Sequence, residues 1–390
     1  MNICVLVDVY PHPFKPYFDV HFEELAKSGH NLTVYSGSRI PGATSQVGVT
    51  TIASLRTAPF ALLAQIVRRI VLSPGRALAV ASATRGLRSK LKLLALDAQL
   101  PSQRPDLILA HNLWTADRFG YLKKVMPDVP FALYYHGGEL PTVAQISPNR
   151  AASAFQAPDV IYTNTRHAAT QVIRRGGHEA KIKIVPVGFR LGDYQPRSPR
   201  AEDGHYYITS VGRISREKGF HDALQAIALL RKQSFQVTYT IIGDGPEFSS
   251  LQQLAQELGV QECVRFVGRL PHREVIETLA QTDLLVLSSI PLGDSCEETQ
   301  ACVVQEAMLV CAAIVATDIG GVRESLAPQF HDYMTPPSNA ERLASQIAKM
   351  LMHKRNGMRA LGEKGRDFVL RTYDVRATNN RLLEGVIHLS

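Results

Sequence analysis

Two glutamates, Glu298 and Glu306, stand either side of an apolar run in "EETQACVVQEAM" (297–308). Charged side chains are seldom buried without a partner, yet Cys302, Val303 and Val304 between them read as core residues. Carboxylates only accept hydrogen bonds, and their two oxygens suit a grip on vicinal hydroxyls. A helix starting between the two would point free N–H groups from Ala301 to Val303 at the same place and favour an anion there. Hydroxyls at both ends and phosphates in the middle describe a sugar nucleotide: sugar, diphosphate, ribose.

Other residues fit the same ligand. "SVGRISREKGF" sets Gly212, Arg213, Lys218 and Gly219 between a strand and the helix starting near Phe220. Two cations beside a helix N-terminus make a site for phosphate oxygens; Arg216 and Glu217 read as solvated. In "IIGDGPE" the two glycines allow a tight turn before a helix opened by Pro246, and their expected role is packing that turn. "FVGRLPHREV" offers backbone groups of Gly268, Arg269 and Leu270, with Pro271 starting the next helix. His136 ends an apolar strand ahead of two glycines, which let a ligand or loop come close. His111 ends a similar strand and is the weaker candidate.

The elements that must hold these residues alternate. Apolar, β-rich runs at 3–9, 32–36, 106–111, 131–136, 159–164 and 182–188 are separated by segments of helical period, such as Phe18, Phe22, Leu25 and Ala26 closed by Gly29. A Pro-, Gly- and charge-rich stretch at 191–205 reads as a linker. Strands then resume at 206–212, 236–243, 263–268, 283–289 and 312–318. The pattern predicts an α/β chain of two doubly wound domains, 1–190 and 206–372, with a cleft between them. Ligands of such sheets bind outside the carboxyl ends of the strands, and every candidate above lies just after one.

Those motifs, in that order and spacing, resemble the retaining glycosyltransferases of family 4, enzymes of the GT-B fold with an E-x7-E motif. "FEELAKSGHNLTVYS", "DLILAHN", "YYHGGEL", "IKIVPVGF" and "VATDIGGVRES" extend the resemblance over nearly the whole chain. It implies that Arg213 and Lys218 grip the donor diphosphate and that Glu306 holds the ribose. It places Glu298 by the donor sugar's hydroxyls, with His136 reaching that sugar across the cleft. Gly268, Arg269 and Leu270 would read the base by their backbone. Gly212, Thr299, Gln300, Ala301, Cys302 and Val303 complete the donor site, and a last helix, about 373–390, is expected to pack back on the first domain.

Two departures matter. The family often has a glycine pair after the first strand, where this chain has "YPHPFKPYF" (10–18); members acting in exopolysaccharide and lipopolysaccharide assembly share that absence. Thr299, Gln300 and Ala301 stand where glycines usually precede the helix, which leaves the sugar, hexosyl or N-acetylhexosaminyl, open. No D-x-D occurs in the chain, so the expectation is a metal-independent enzyme without a cofactor, taking a UDP- or GDP-sugar and retaining the anomeric configuration.

Composition bounds this reading. The 390 residues are 45% hydrophobic and 20% charged, which suits a folded protein of two or three domains. No run of eighteen apolar residues occurs, "MNICVLVDVY" reads as a first strand, and five cysteines lack metal-ligand spacing; together these suggest a cytoplasmic protein. Residues 1–190 hold 22 Lys+Arg against 11 Asp+Glu, net +11; the chain is +8, so residues 191–390 sum to −3. Within 61–100, Arg68, Arg69, Arg76, Arg85, Arg88, Lys90 and Lys92 face one acid, Asp97. The patch lacks a nucleic-acid reader motif. Helical segments over 61–72 and 76–100 would either pack with a solvated basic face or touch an anionic membrane, as a lipid-linked acceptor would require. Alternatives are a transferase decorating a small natural product and a non-catalytic sugar-nucleotide-binding subunit.

Overall fold

The computed structural model describes residues 1–12, 15–40, 45–53, 58–84, 86–100, 103–137, 146–196, 198, 200–292 and 298–387. The chain divides into two compact units, Met1–Phe189 with Val375–Ser390, and Arg190–Asp374.

The first unit is built on parallel strands β1 (Asn2–Val9), β2 (Asn31–Ser38), β3 (Val49–Thr51), β4 (Leu107–His111), β5 (Phe131–Tyr135), β6 (Val160–Thr163) and β7 (Ile182–Ile184), in the order β3-β2-β1-β4-β5-β6-β7. The strand sequences are continuously apolar because both faces are covered. Cys4, Leu6, Ile108, Ala110, Phe131 and Leu133 pack on one side, and Ile3, Val5, Val7, Leu107, Leu109 and Ala132 on the other. Helix Tyr17–Lys27 buries Phe18, Phe22 and Leu25 against the second face, and Gly29 ends it at φ +85°. The closing helix, Val375–Ile387, belongs to this unit. Tyr162 donates to the Leu382 carbonyl at 2.6 Å, and Asn379 Oδ1 meets His21 Nδ1 at 2.6 Å.

The helical segment read over 76–100 is two helices, Pro74–Ser82 and Leu87–Asp97, preceded by Pro59–Leu72. Gly86, at φ +86°, breaks the run where no other residue type holds that backbone cheaply. Arg85 lies outside the described residues.

The second unit has strands β8 (His205–Val211), β9 (Gln236–Ile242), β10 (Val264–Gly268), β11 (Leu284–Leu287), β12 (Ala313–Thr317) and β13 (Met334–Thr335), all parallel, in the order β10-β9-β8-β11-β12-β13. The order reverses between β8 and β11, and such a switch point opens a crevice at the carboxyl ends. The stretch read as a linker starts inside this unit with a 3-10 turn, Leu191–Asp193, and buries Tyr194. Its aromatic ring, not its Pro and Gly content, decides where that stretch sits. Among the described residues no helix is long and apolar enough to cross a membrane.

Candidate functional site

The turns leaving β8 and β11 are locked together. Gly219, at φ +62°, comes so close to β11 that a Cβ would lie 1.9 Å from the Ser288 carbonyl oxygen. Ser288 Oγ donates to the Lys218 carbonyl at 3.0 Å, and Ile290 N to the Glu217 carbonyl at 2.9 Å. The "GDG" turn after β9 backs this pair. A Cβ on Gly243 would meet the Gly212 carbonyl oxygen at 1.8 Å, and one on Gly245 that of Ile214 at 2.2 Å. Its glycines serve close packing, as the sequence suggested; its helix starts at Phe248, two residues beyond Pro246.

This packing delivers Lys218 Nζ to Glu298 Oε1 as a hydrogen-bonded ion pair. Ser289 Oγ donates to the same oxygen at 3.0 Å, and Gly321 N holds the Glu298 carbonyl at 2.8 Å. Burial works to raise the Glu298 carboxyl, but the Lys218 ammonium, its hydrogen bond and the Ser289 hydroxyl hold it below its ordinary value. Glu298 is therefore an anion at neutral pH. Arg213 is exposed on the turn that carries Lys218, and a Cβ on Gly212 would lie 3.8 Å from Lys218 Cδ.

Helix Cys302–Leu309 follows, with Thr299, Gln300 and Ala301 buried at its start and Cys302 and Val303 half-buried. Glu306, also buried, accepts from His272 Nε2 at 2.7 Å and from the Tyr194 hydroxyl at 3.5 Å. Burial, and then the charges of Glu306 and Glu298, push the Cys302 thiol far up, so it stays protonated between the two carboxylates. Beyond β10, Gly268 takes φ +69° and its carbonyl accepts from Gly243 N at 2.9 Å; Arg269 is exposed and Leu270 half-buried.

Lys218, Glu298, Ser289, Cys302, Glu306, His272 and Tyr194 thus gather around one helix start. His272, Tyr194 and Ser289, which the sequence showed only as the end of a strand, escaped the reading of the sequence. His272 follows Pro271 as the first residue of helix His272–Leu279, a position that points it at the strand ends, and that placement was a usable signal. Tyr194 offered none inside a Pro- and Gly-rich stretch.

His136 belongs to the first unit, at the end of β5. Its ring stacks on Tyr134 with centroids 4.2 Å apart, its Nε2 meets His111 Nδ1 at 2.9 Å, and Asn164 Nδ2 holds its carbonyl at 3.0 Å. Burial, then the nearby Lys15 and His21, lower its pKa well below the ordinary value, so the ring is neutral. His111, the weaker candidate from sequence, is its direct partner. Gly137 is at φ +70°; the glycine and glutamate after it lie outside the described residues.

Two family models match, glycosyltransferase family 4 over residues 21–192 and glycosyl transferases group 1 over residues 193–368. A protein of Escherichia coli K12 named for colanic acid biosynthesis, the glycosyltransferase WcaL, is 25% identical over 228 residues, covering 58% of this chain and 56% of that protein. The 2-deoxystreptamine glucosyltransferase of Streptomyces kanamyceticus is 29% identical over 152 residues, 38% of this chain and 37% of its own. The chain spans about half the length of the first relative and less of the second. Among solved structures, Anabaena HepE in complex with UDP-glucose has a TM-score of 0.71 at 19% identity, covering 98% of this chain and 99% of that one.

Proposed function

The chain belongs to the glycosyltransferases of these two families, which share the GT-B fold, and from that premise we propose that it moves a sugar from a nucleotide donor to an acceptor hydroxyl in bacterial surface polysaccharide assembly. The observation that carries this reading is the pairing of Lys218 with Glu298 and of His272 with Glu306 at the two ends of one helix start. A diphosphate placed at that helix N-terminus meets Lys218 and Arg213, whose fixed positive potential stabilises the charge that develops as the C1–O bond breaks. Glu306 accepts from the ribose hydroxyls and Glu298 from those of the sugar. The acceptor oxygen bonds to C1, the diphosphate leaves with the bonding pair, and the acceptor's proton goes to the diphosphate or to solvent.

Four finer points belong to the proposal. The donor is a UDP- or GDP-sugar carrying a hexosyl or N-acetylhexosaminyl group. Transfer retains the anomeric configuration, as the resemblance implies. It needs no divalent metal, since the chain has no D-x-D. His136 acts as a neutral hydrogen-bonding group toward the donor sugar. The similarity to a protein named for colanic acid biosynthesis supports a polysaccharide acceptor; a lipid-linked acceptor and a cytoplasmic location are part of the same proposal. The 2-deoxystreptamine relative supports the second reading, a small-molecule acceptor.

The test is to incubate the protein with a panel of UDP- and GDP-sugars in EDTA and follow the anomeric protons by NMR. Release of the nucleotide diphosphate, with the sugar first appearing in the donor's own anomeric configuration, supports the reading. Inverted product overturns retention, and turnover lost in EDTA but restored by Mg²⁺ or Mn²⁺ overturns metal independence.

A further inference from the structure

Residues 25–96 contain no aspartate or glutamate. Asp97, the next acid, is consumed inside the fold, where it pairs with Arg69 at 3.4 Å and Arg76 at 2.8 Å and so ties helix Leu87–Asp97 to helices Pro59–Leu72 and Pro74–Ser82. The outer surface of these helices is left with cations that Asp97 does not reach: Arg68, Arg88 and Lys92, all exposed.

Helix Pro59–Leu72 has more apolar surface than its packing uses. Leu62, Ile66 and Arg69 form the buried side. Phe60, Leu63, Val67, Ile70 and Val71 recur at helical spacing along a second stripe and are 46–85% exposed. Leu78 and Leu87, on the next two helices, are exposed by 73% and 76%. Isolated exposed hydrophobics need no explanation, but a contiguous stripe beside cations does. Along the same helix runs a groove of 390 Å³ lined by Thr50, Gln65, Arg68, Arg69, Ser73 and Gln99. Arg69 is only 5% exposed, yet its Nη1 has no hydrogen-bond partner among the described residues. A buried guanidinium N–H left unmade is costly, and an anionic oxygen in the groove would satisfy it.

We propose that this face is a docking surface for an anionic lipid bilayer, with the Phe60–Val71 stripe set among the acyl chains and a lipid phosphate taken up in the groove beside Arg68 and Arg69. Charge complementarity selects the occupant: an acid-free, basic and apolar face matches a negatively charged leaflet. The surface would hold the enzyme where a lipid-linked acceptor is presented, but it rests on these helices alone and is tested without donor or acceptor.

The experiment is co-sedimentation of the full chain with phosphatidylcholine vesicles, with and without phosphatidylglycerol, at low and high salt. Two triple variants are compared, Arg68→Ser/Arg88→Ser/Lys92→Ser and Phe60→Ser/Val67→Ser/Val71→Ser, each checked for an unchanged unfolding midpoint. The expected result is binding that requires phosphatidylglycerol and weakens with salt. The charge variant should partition roughly a hundredfold less well, and the apolar variant should lose whatever binding survives high salt. Three results overturn the proposal: no binding at low salt, equal binding to both vesicle types, or a concentration-dependent dimer that the apolar variant abolishes while vesicle binding is absent.

Discussion

Lys218 and Glu298, both proposed to bind the donor, hold one another in the structure. A diphosphate bound as proposed would compete for an ammonium already engaged. Removing Lys218 leaves a largely buried carboxylate that keeps the Ser289 hydroxyl but no cation among its hydrogen-bond partners in the described residues, and such a loss is costlier than deleting both charges. Lys218→Ala should lower stability at neutral pH by about 1–2 kcal/mol, discounted for the partial exposure of the pair. Adding Glu298→Gln should recover most of that loss; urea unfolding of the two variants measures it. The pair's contribution has a definite sign with pH. Because the folded carboxyl lies below its ordinary value, the stabilisation is complete above that value and fades as pH falls through the folded one. Glu298, Glu306 and Lys218 could each be picked out from its own short motif, a turn after a strand or a helix start, although 80 residues separate Lys218 from Glu298. Tyr194 offered no local signal and His272 only its place at a helix start, because what brings them to Glu306 is tertiary packing, 112 and 34 residues away along the chain.

Among the elements, His21 on helix Tyr17–Lys27 and the two histidines at the strand ends beside it, His111 and His136, make the first unit pH-sensitive. His21 is brought down to about 4, chiefly by burial, and His111 and His136 lie well below their ordinary value for the same first reason. From the first unit, Lys15 presses on His111 and His136, while the Asn379 side chain offers His21 a hydrogen bond. A base lowered on folding is fully stabilising above its unfolded value, about 6.5, and loses that contribution as pH drops toward the folded one. Thermal unfolding should show the midpoint falling as pH goes from 6.5 toward 4, with a shallower fall in His21→Gln. An equal slope in the two proteins would remove His21 from the account. The closing helix has an equally specific contact: a Cβ on Gly385 would lie 2.3 Å from the Tyr162 hydroxyl. Gly385→Ala should displace that hydroxyl from the Leu382 carbonyl and cost about 1–3 kcal/mol, readable in the same unfolding experiment. The long strands, such as β1 and β9, announced themselves as apolar runs bounded by turns. The edge strands β3 and β13, three and two residues long, escaped because Val-Thr-Thr and Met-Thr are not apolar runs, whereas β7, equally short, opens the apolar stretch 182–188.

For the molecule as a whole, alternation of strand and helix was sufficient to foresee two parallel sheets, since each βαβ unit is a local object repeated along the chain. The charge division, +11 over residues 1–190 against −3 beyond, puts the basic, apolar face in one unit, while the carboxylates proposed to grip hydroxyls sit in the other. We therefore propose that side chains of the second unit bind the donor. The measurement that tests this most directly is turnover of the donor identified in the nucleotide-sugar panel, by wild type, Lys218→Ala and Glu306→Ala, each shown to be folded. Removing a charged contact to the donor should reduce kcat/KM at least roughly a hundredfold in each variant, with the wild-type unfolding midpoint largely kept in Glu306→Ala. Near wild-type turnover in either variant would contradict the assignment of the donor site.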